Sequence, residues 1–217
     1  MKILLKNAGK RYNKEWIFKH LDYEFTKNNG YVILGPNGSG KSTLIQAIAG
    51  NFLLSEGHAE YHLQNYRINN KDYELKCIEP ENIYQFLSFA SPYLELLEEY
   101  TMLESITFHS KFKNFYPGLN PEKIIEICEL EKSKNKELKY FSSGMKQRVR
   151  LALAILSDTP LLLLDEPASN LDKKGIEWYQ KLISNFSKDR LVIVCSNQQE
   201  YEYTFCNKEL LIGNYKK

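Results

Sequence analysis

The run GPNGSGKST, Gly35 to Thr43, brings glycines, a lysine and hydroxyls together in one short stretch. Glycines let a backbone curl until successive N–H groups point inward and form an anion-binding nest. A helix that starts there adds its positive N-terminal end. The spacing G-x-x-x-x-G-K-[ST] therefore makes Gly35, Pro36, Asn37, Gly38, Ser39, Gly40, Lys41, Ser42 and Thr43 a candidate cradle for nucleotide phosphates. Lys41 would bring a point charge to the outer phosphates, and the Ser42 hydroxyl a ligand for Mg2+. Kinases, GTPases and ATPases all use such a loop, so the loop alone names no reaction. The Asn-Lys-x-Asp stretch by which GTPases usually read guanine is not evident.

A second group narrows the chemistry. In LLLLDEP, Asp165 and Glu166 follow an apolar run. Asp165 is the candidate to hold Mg2+, directly or through water. Glu166 is the candidate to orient and deprotonate an attacking water. A kinase gains nothing from activating water, whereas a hydrolase requires it.

These residues need elements to carry them. YVIL (Tyr31–Leu34) reads as a strand leading into the glycine loop, and Ser42 to Ala49 as a helix stopped by Gly50. LLLL (Leu161–Leu164) and LVIVC (Leu191–Cys195) are continuous apolar runs of strand length, the pattern of parallel strands covered on both faces. Leu34, Leu164 and Cys195 are each followed by the glycine loop or by polar residues. Ligands in parallel α/β sheets bind at the carboxyl ends of the strands, so the three ends are predicted to converge on one crevice. HAEYHL (His58–Leu63) alternates like an exposed strand. The middle of the chain is more helical. Thr101 and Glu104 have the spacing of a capping box, and Asn120 with Pro121 reads as an N-cap and first helical position.

The bulk properties exclude several classes. At 217 residues the chain fits one domain, and its net charge of +2 with pI near 8.2 argues against a nucleic-acid partner. Cys77, Cys128, Cys195 and Cys206 form no CxxC pair, which fits a reduced, cytoplasmic setting better than zinc ligation. No secretory apolar core opens the chain, and no apolar run approaches the ~20 residues that span a bilayer.

FSSGMKQRVRLALAIL, Phe141 to Leu156, resembles the signature of ATP-binding cassette (ABC) ATPases, Leu-Ser-Gly-Gly-Gln followed by x-Gln-Arg. Ser142, Gly144, Gln147 and Arg148 match it, while Phe141, Ser143 and Met145 depart. Phosphate loop, signature, LLLLDEP and then SNLD (Ser169–Asp172, like the D-loop) follow in the family's order over essentially the whole chain. The resemblance implies a P-loop α/β core with a mostly parallel sheet, an antiparallel β-subdomain and a helical subdomain. Residues 1–217 would form one ABC ATPase domain. Its core and β-subdomain would lie in about 1–90 and 151–217, and its helical subdomain in about 91–150.

Ser142 and Gly144 sit just before a helix and offer a second phosphate-binding end. One chain cannot easily bring both ends to one ATP, but two chains packed head to tail can. By the same resemblance Tyr12 is the aromatic that stacks on adenine, with Trp16 as its competitor. Two family positions differ. The usual Gln after a strand is replaced by Ser91 beside Pro92, with Gln85 too early to serve. The switch histidine is replaced by Asn197, which can donate a hydrogen bond to a γ-phosphate oxygen but carries no charge. None of His20, His58, His62 or His109 is placed to substitute.

The function so implied is an ATP- and Mg2+-binding, ATP-hydrolysing subunit at the cytoplasmic face of a membrane. It would dimerise and energise a separate transmembrane permease subunit docked near Ser91–Thr101. SSGMKQR is closer to exporter-type members than to importers. The alternative is a degenerate cassette that binds ATP and dimerises as a regulator or assembly factor with little hydrolysis. A small-molecule phosphotransferase would leave the signature unexplained.

Overall fold

Burial along three short strands decides the layering. The computed structural model describes residues 1–68 and 71–216. In β3 (Gly30–Leu34) Tyr31 and Ile33 face one hydrophobic cluster and Val32 and Leu34 another. The strands Leu161–Asp165 and Leu191–Ser196 divide in the same way, with Leu161, Leu163, Leu191 and Ile193 on one side and Leu162, Leu164, Val192 and Val194 on the other. A sheet with both faces apolar must be covered on both.

The elements in chain order are β1 (Lys2–Tyr12), β2 (Glu15–Thr26), β3, α1 (Lys41–Ile48), β4 (Glu56–Ile68), β5 (Lys71–Ile78), β6 (Leu87–Ala90), α2 (Met102–His109), α3 (Pro121–Ile127), α4 (Ser143–Ile155), β7 (Leu161–Asp165), α5 (Lys173–Phe186), β8 (Leu191–Ser196) and β9 (Lys208–Leu211). An antiparallel sheet has the order β2-β1-β4-β5, and a five-stranded sheet, parallel throughout, has the order β6-β7-β8-β3-β9. Side chains of α1 fill the first cluster with those of β1, β2 and β4, and side chains of α2 to α5 fill the second. Among the described residues no helix is long and apolar enough to cross a membrane.

The strand at His58–Leu63 departs from expectation. It lies within β4, but Tyr61 and Leu63 are buried, so one face of the strand is core. The cause is α1, which lies beneath it: Tyr61 donates its phenolic hydrogen bond to Ile48 O at 3.0 Å. Helix α1 starts at Lys41, one residue earlier than predicted, and ends before Gly50, which has φ 74°. A methyl there would sit 2.6 Å from Ile83 Cγ2. The two predicted caps are present. Glu104 N–H donates to Thr101 Oγ1 at 3.2 Å, while Thr101 N–H donates to Glu104 Oε2 at 2.8 Å. Lys123 N–H donates to Asn120 Oδ1 at 2.8 Å.

Register is what positions the site. Leu34 of β3 is level with Ser196 of β8, and Cys195 of β8 is level with Asp165 of β7. The three carboxyl ends therefore lie side by side.

Removing the Thr101 cap tests the capping box. Thr101→Ala is expected to cost about 1 kcal/mol, which for a domain of this size lowers Tm by about 2–4 °C. A thermal melt unchanged within a degree would show that packing alone holds α2.

Candidate functional site

The loop between β3 and α1 is built for close approach of an anion. Gly38 and Gly40 have φ 73° and 105°, conformations that L side chains rarely adopt. At Gly40 a methyl would also lie 2.5 Å from Ile17 Cγ2. No side chain caps α1, and its first turn holds no acid. Leu44 N–H donates to Gly40 O at 2.9 Å, so the N–H groups of Lys41, Ser42 and Thr43 precede the first helical bonds and face the loop.

Lys41 is buried, and its ammonium donates to Gly35 O at 2.8 Å, Pro36 O at 3.1 Å and Asn197 Oδ1 at 2.5 Å. From its other side Asn197 donates through Nδ2 to Glu166 Oε1 at 2.8 Å. One amide thus joins the loop lysine to the acid that follows β7. Glu166 itself has φ 44°, a left-handed conformation uncommon for a residue with a side chain. Its N–H donates to Cys195 O at 2.9 Å, which closes the end of β7 onto β8.

Asp165 is buried, and its Oδ1 has no hydrogen-bond partner. Burial pushes its carboxyl above the ordinary range, against a hydrogen bond from Ser42 and the charge of Lys41, while the Glu166 charge pushes the same way as burial. A carboxylate oxygen without a partner beside a serine hydroxyl is an oxygen donor set that suits a small hard divalent cation. Ser39 Oγ, in the same loop, is also buried without a partner.

These residues border a groove of about 340 Å³ lined by Asn37, Gly38, Gly40, Lys41, Ser42, Thr43 and Glu166, with Ile17 and Tyr93. Tyr12 is not on that lining. It ends β1 opposite Glu15, is half exposed, and meets the edge of Phe52 with ring centroids 6.4 Å apart. Trp16 lies under the Arg11 guanidinium at 5.3 Å.

Ser142 is the N-cap of α4 and accepts a hydrogen bond from Met145 N–H at 3.3 Å. Gly144 lies inside the first turn of the helix and not ahead of it. A methyl there would come 3.0 Å from Asn170 O, a tight contact within this chain. Neither Ser142 nor Gly144 borders the groove at the phosphate loop. Gln147 and Arg148 also have intramolecular partners. Gln147 Nε2 donates to Pro167 O at 2.9 Å, and Arg148 pairs with Glu129 at 2.7 Å and lies over the Trp178 ring at 5.1 Å.

Residues 18–169, well over half of the chain, match the sequence profile of the ABC transporter family. The chain belongs to that family. It is 26% identical over 208 residues to the ABC transporter ATP-binding protein YybJ of Bacillus subtilis, spanning 93% of this chain and 88% of that protein. It is 27% identical over 198 residues to the lantibiotic transport ATP-binding protein SrtF of Streptococcus pyogenes, spanning 89% and 78%. The solved dimeric structure of MJ0796, a bacterial ABC transporter cassette, superposes with a TM-score of 0.75 at 25% identity over 97% of this chain and 95% of that one. The fold is accordingly that of the ABC ATPases, and the chain is of the kind that forms the ATP-binding subunits of such transporters.

Ser91 and Asn197, the two residues expected to depart from the ABC pattern, lie next to residues that line the groove but not on its lining. Ser91 is buried directly after β6 and accepts a hydrogen bond from Tyr93 N–H at 3.4 Å. Gln85 is exposed in the 3-10 turn before β6 and donates to the Tyr84 hydroxyl at 3.3 Å, away from the groove. Asn197, the residue after β8, lies between Lys41 and Glu166. Ile17 and Tyr93 escaped the sequence reading. Ile17 is one apolar residue in a β-strand, and Tyr93 is one tyrosine among 15.

The orphan oxygen of Asp165 has a thermodynamic consequence. Its folded-state pKa lies above the unfolded value, so the folded chain holds this proton more tightly. That contribution favours folding in acid and is lost as pH rises through the folded value. At neutral pH the carboxylate then works against folding. Without metal, Asp165→Asn is expected to stabilise the protein by about 1 kcal/mol, a Tm gain of about 2–4 °C near neutral pH. The gain shrinks in acid, and the variant loses stabilisation by added Mg2+. A lower Tm for the variant, with stabilisation by Mg2+ intact, would show that Oδ1 has another role.

Proposed function

We propose that this chain is an ATP-hydrolysing subunit that energises an ABC transporter through a separate membrane subunit. The observation that carries this reading is the hydrogen-bonded line Lys41–Asn197–Glu166 at the rim of the phosphate loop. It puts a cation, a polar donor and a water-activating carboxylate at one edge of the groove. In a phosphotransferase the last of these would be wasted.

In the reaction so read, the loop N–H groups and Lys41 hold the outer phosphates of ATP. Ser42 and Asp165 would hold Mg2+, which would supply charge neutralisation at the phosphate oxygens. Glu166 orients a water and takes its proton as the water oxygen bonds to the γ-phosphorus. The bond to the bridging oxygen breaks, and ADP and inorganic phosphate leave. Asn197 Nδ2 donates toward the developing charge. Tyr12, half exposed at the hairpin end that also carries Ile17, offers its ring to adenine.

Ser142 and Gly144 of a second copy complete the site from across a head-to-tail dimer. Support comes from MJ0796, whose cassette is dimeric and has also been solved in a post-hydrolysis dimer with ADP and Pi, at TM-score 0.76 and 22% identity. Exposed Tyr93, Leu94 and Leu97, which follow Ser91, offer the membrane subunit an apolar docking face. On this reading the chain works at the cytoplasmic surface of the membrane. The name of SrtF, a lantibiotic transport protein, supports a transport role.

ATP turnover with Mg2+ by the purified protein and two sets of variants tests the reading. Glu166→Gln is expected to lower the rate by about 10²–10⁴ while ATP still binds. Asn197→Ala is expected to lose about 10²–10³, and Asn197→His to retain or exceed the parent rate. ATP binding and dimerisation without turnover, persisting when the membrane subunit is supplied, would sink hydrolysis and favour the regulator.

A further inference from the structure

Glu202 is a buried acid outside the roles assigned above. It ends the short 3-10 turn Glu200–Glu202 that follows β8, and it is 3% exposed. Both of its carboxylate oxygens are engaged. Oε1 accepts from Ala168 N–H at 3.1 Å, and Oε2 accepts from the Ser196 hydroxyl. Ser196 Oγ itself accepts from Gln199 N–H at 3.2 Å, which leaves its proton for Glu202. The Tyr179 hydroxyl of α5 donates to the Glu202 main-chain oxygen at 2.8 Å and fixes the turn.

The two contacts lie at informative places. Ala168 is in the loop that begins with Glu166, and Ser196 is the residue before Asn197. The same loop is held from its other side by Gln147 of α4, which donates to Pro167 O. Removing a carboxylate from water is costly unless it is fully hydrogen-bonded. Burial and the charges of Glu166 and Asp165 push the Glu202 carboxyl up, while its bonds to Ser196 and Ala168 push it down. An apolar residue would fill this space at lower cost but could not tie the loop to the strand.

We propose that Glu202 is a positioning residue, whose carboxylate locks the loop carrying Glu166 to the strand end carrying Asn197 so that the two side chains share one frame. The proposal rests on the hydrolytic reading for its consequence but not for its geometry. Glu202 is not on the lining of the groove and acts through Ala168 and Ser196. Its loss therefore leaves ATP binding alone and disorders the pair that acts on water.

The test compares the parent protein with Glu202→Ala and Glu202→Gln by two readouts. The first is hydrogen exchange of the Ala168 amide, followed by NMR without nucleotide. The second is kcat and KM for ATP with Mg2+, normalised to folded protein. Glu202→Ala is expected to speed Ala168 exchange about 10-fold or more. It should lower kcat by about 10–100-fold with KM unchanged. Glu202→Gln keeps an oxygen for Ala168 and can donate to Ser196 Oγ, so it restores most of both. Should Glu202→Ala not fold, Glu202→Asp replaces it, since the shorter side chain cannot span both contacts. Unchanged Ala168 exchange in Glu202→Ala overturns the proposal, as does a kcat that holds once unfolded protein is discounted, or a Gln variant no better than Ala. If the parent turns over no ATP even with the membrane subunit supplied, the hydrolytic reading fails by itself. Exchange at Ala168, lost with Ala and restored with Gln, then decides the locking role.

Discussion

One amide, that of Asn197, is the interaction on which the rest of the site depends. It accepts from Lys41 and donates to Glu166, so a single side chain satisfies a cation and an anion that stand on different elements. The arrangement demands three strands in parallel register. Lys41 follows β3, Asn197 follows β8 and Glu166 follows β7, and these strands lie in the order β7-β8-β3. Because β8 is central, its end reaches both neighbours. The apolar runs that make the three strands buried on both faces are thus a condition for the polar chemistry at their ends. A one-residue slip of β8 would turn Asn197 away from both partners and exchange the side chains that its two buried faces present to the two cores.

Charge sets the second constraint. Asp165 and Glu202 are buried and Glu166 stands beside them, while Lys41 is the buried lysine of this site. A histidine at 197 could gain a proton and offset that surplus, whereas an asparagine cannot. The cradle has other positive features on which to rely. The start of α1 has no acidic residue and no side-chain cap, so its dipole and free N–H groups remain directed at the loop. Hydrogen bonds to Glu166 and Glu202 replace some of the missing charge, and Glu202 has both oxygens engaged.

Much of this was legible in the sequence, for identifiable reasons. The phosphate loop, Asp165 and Glu166 could be placed because local rules fix them: the glycines of the loop suit its positive φ, and continuous apolar runs suit a parallel sheet. The caps at Thr101 and Asn120 were legible for the same reason, since each bond spans three residues. What escaped depends on distant pairings. Tyr61 is buried only because α1 lies under β4. Ile17 and Tyr93 border the groove only because a hairpin and the loop after β6 come to the same place. Glu202 bonds to Ala168, 34 positions away, and no spacing pattern announces such a contact.

Gly144 illustrates how one residue can satisfy two demands. Read locally, it opens a helix end to a phosphate. In the folded chain a methyl at this position would press on Asn170 O at 3.0 Å, so a small residue is favoured even before a second copy arrives. Gln147, one turn on, holds Pro167 of the same loop, and Glu202 holds Ala168 from the opposite side. The segment from Pro167 to Asn170 is therefore clamped between the signature helix and the turn after β8. Gln147 of α4 thus bonds to the residue that directly follows Glu166. In the proposed dimer, where each signature helix faces the other copy's nucleotide, that clamp joins the arrival of a partner to the position of the acid that acts on water.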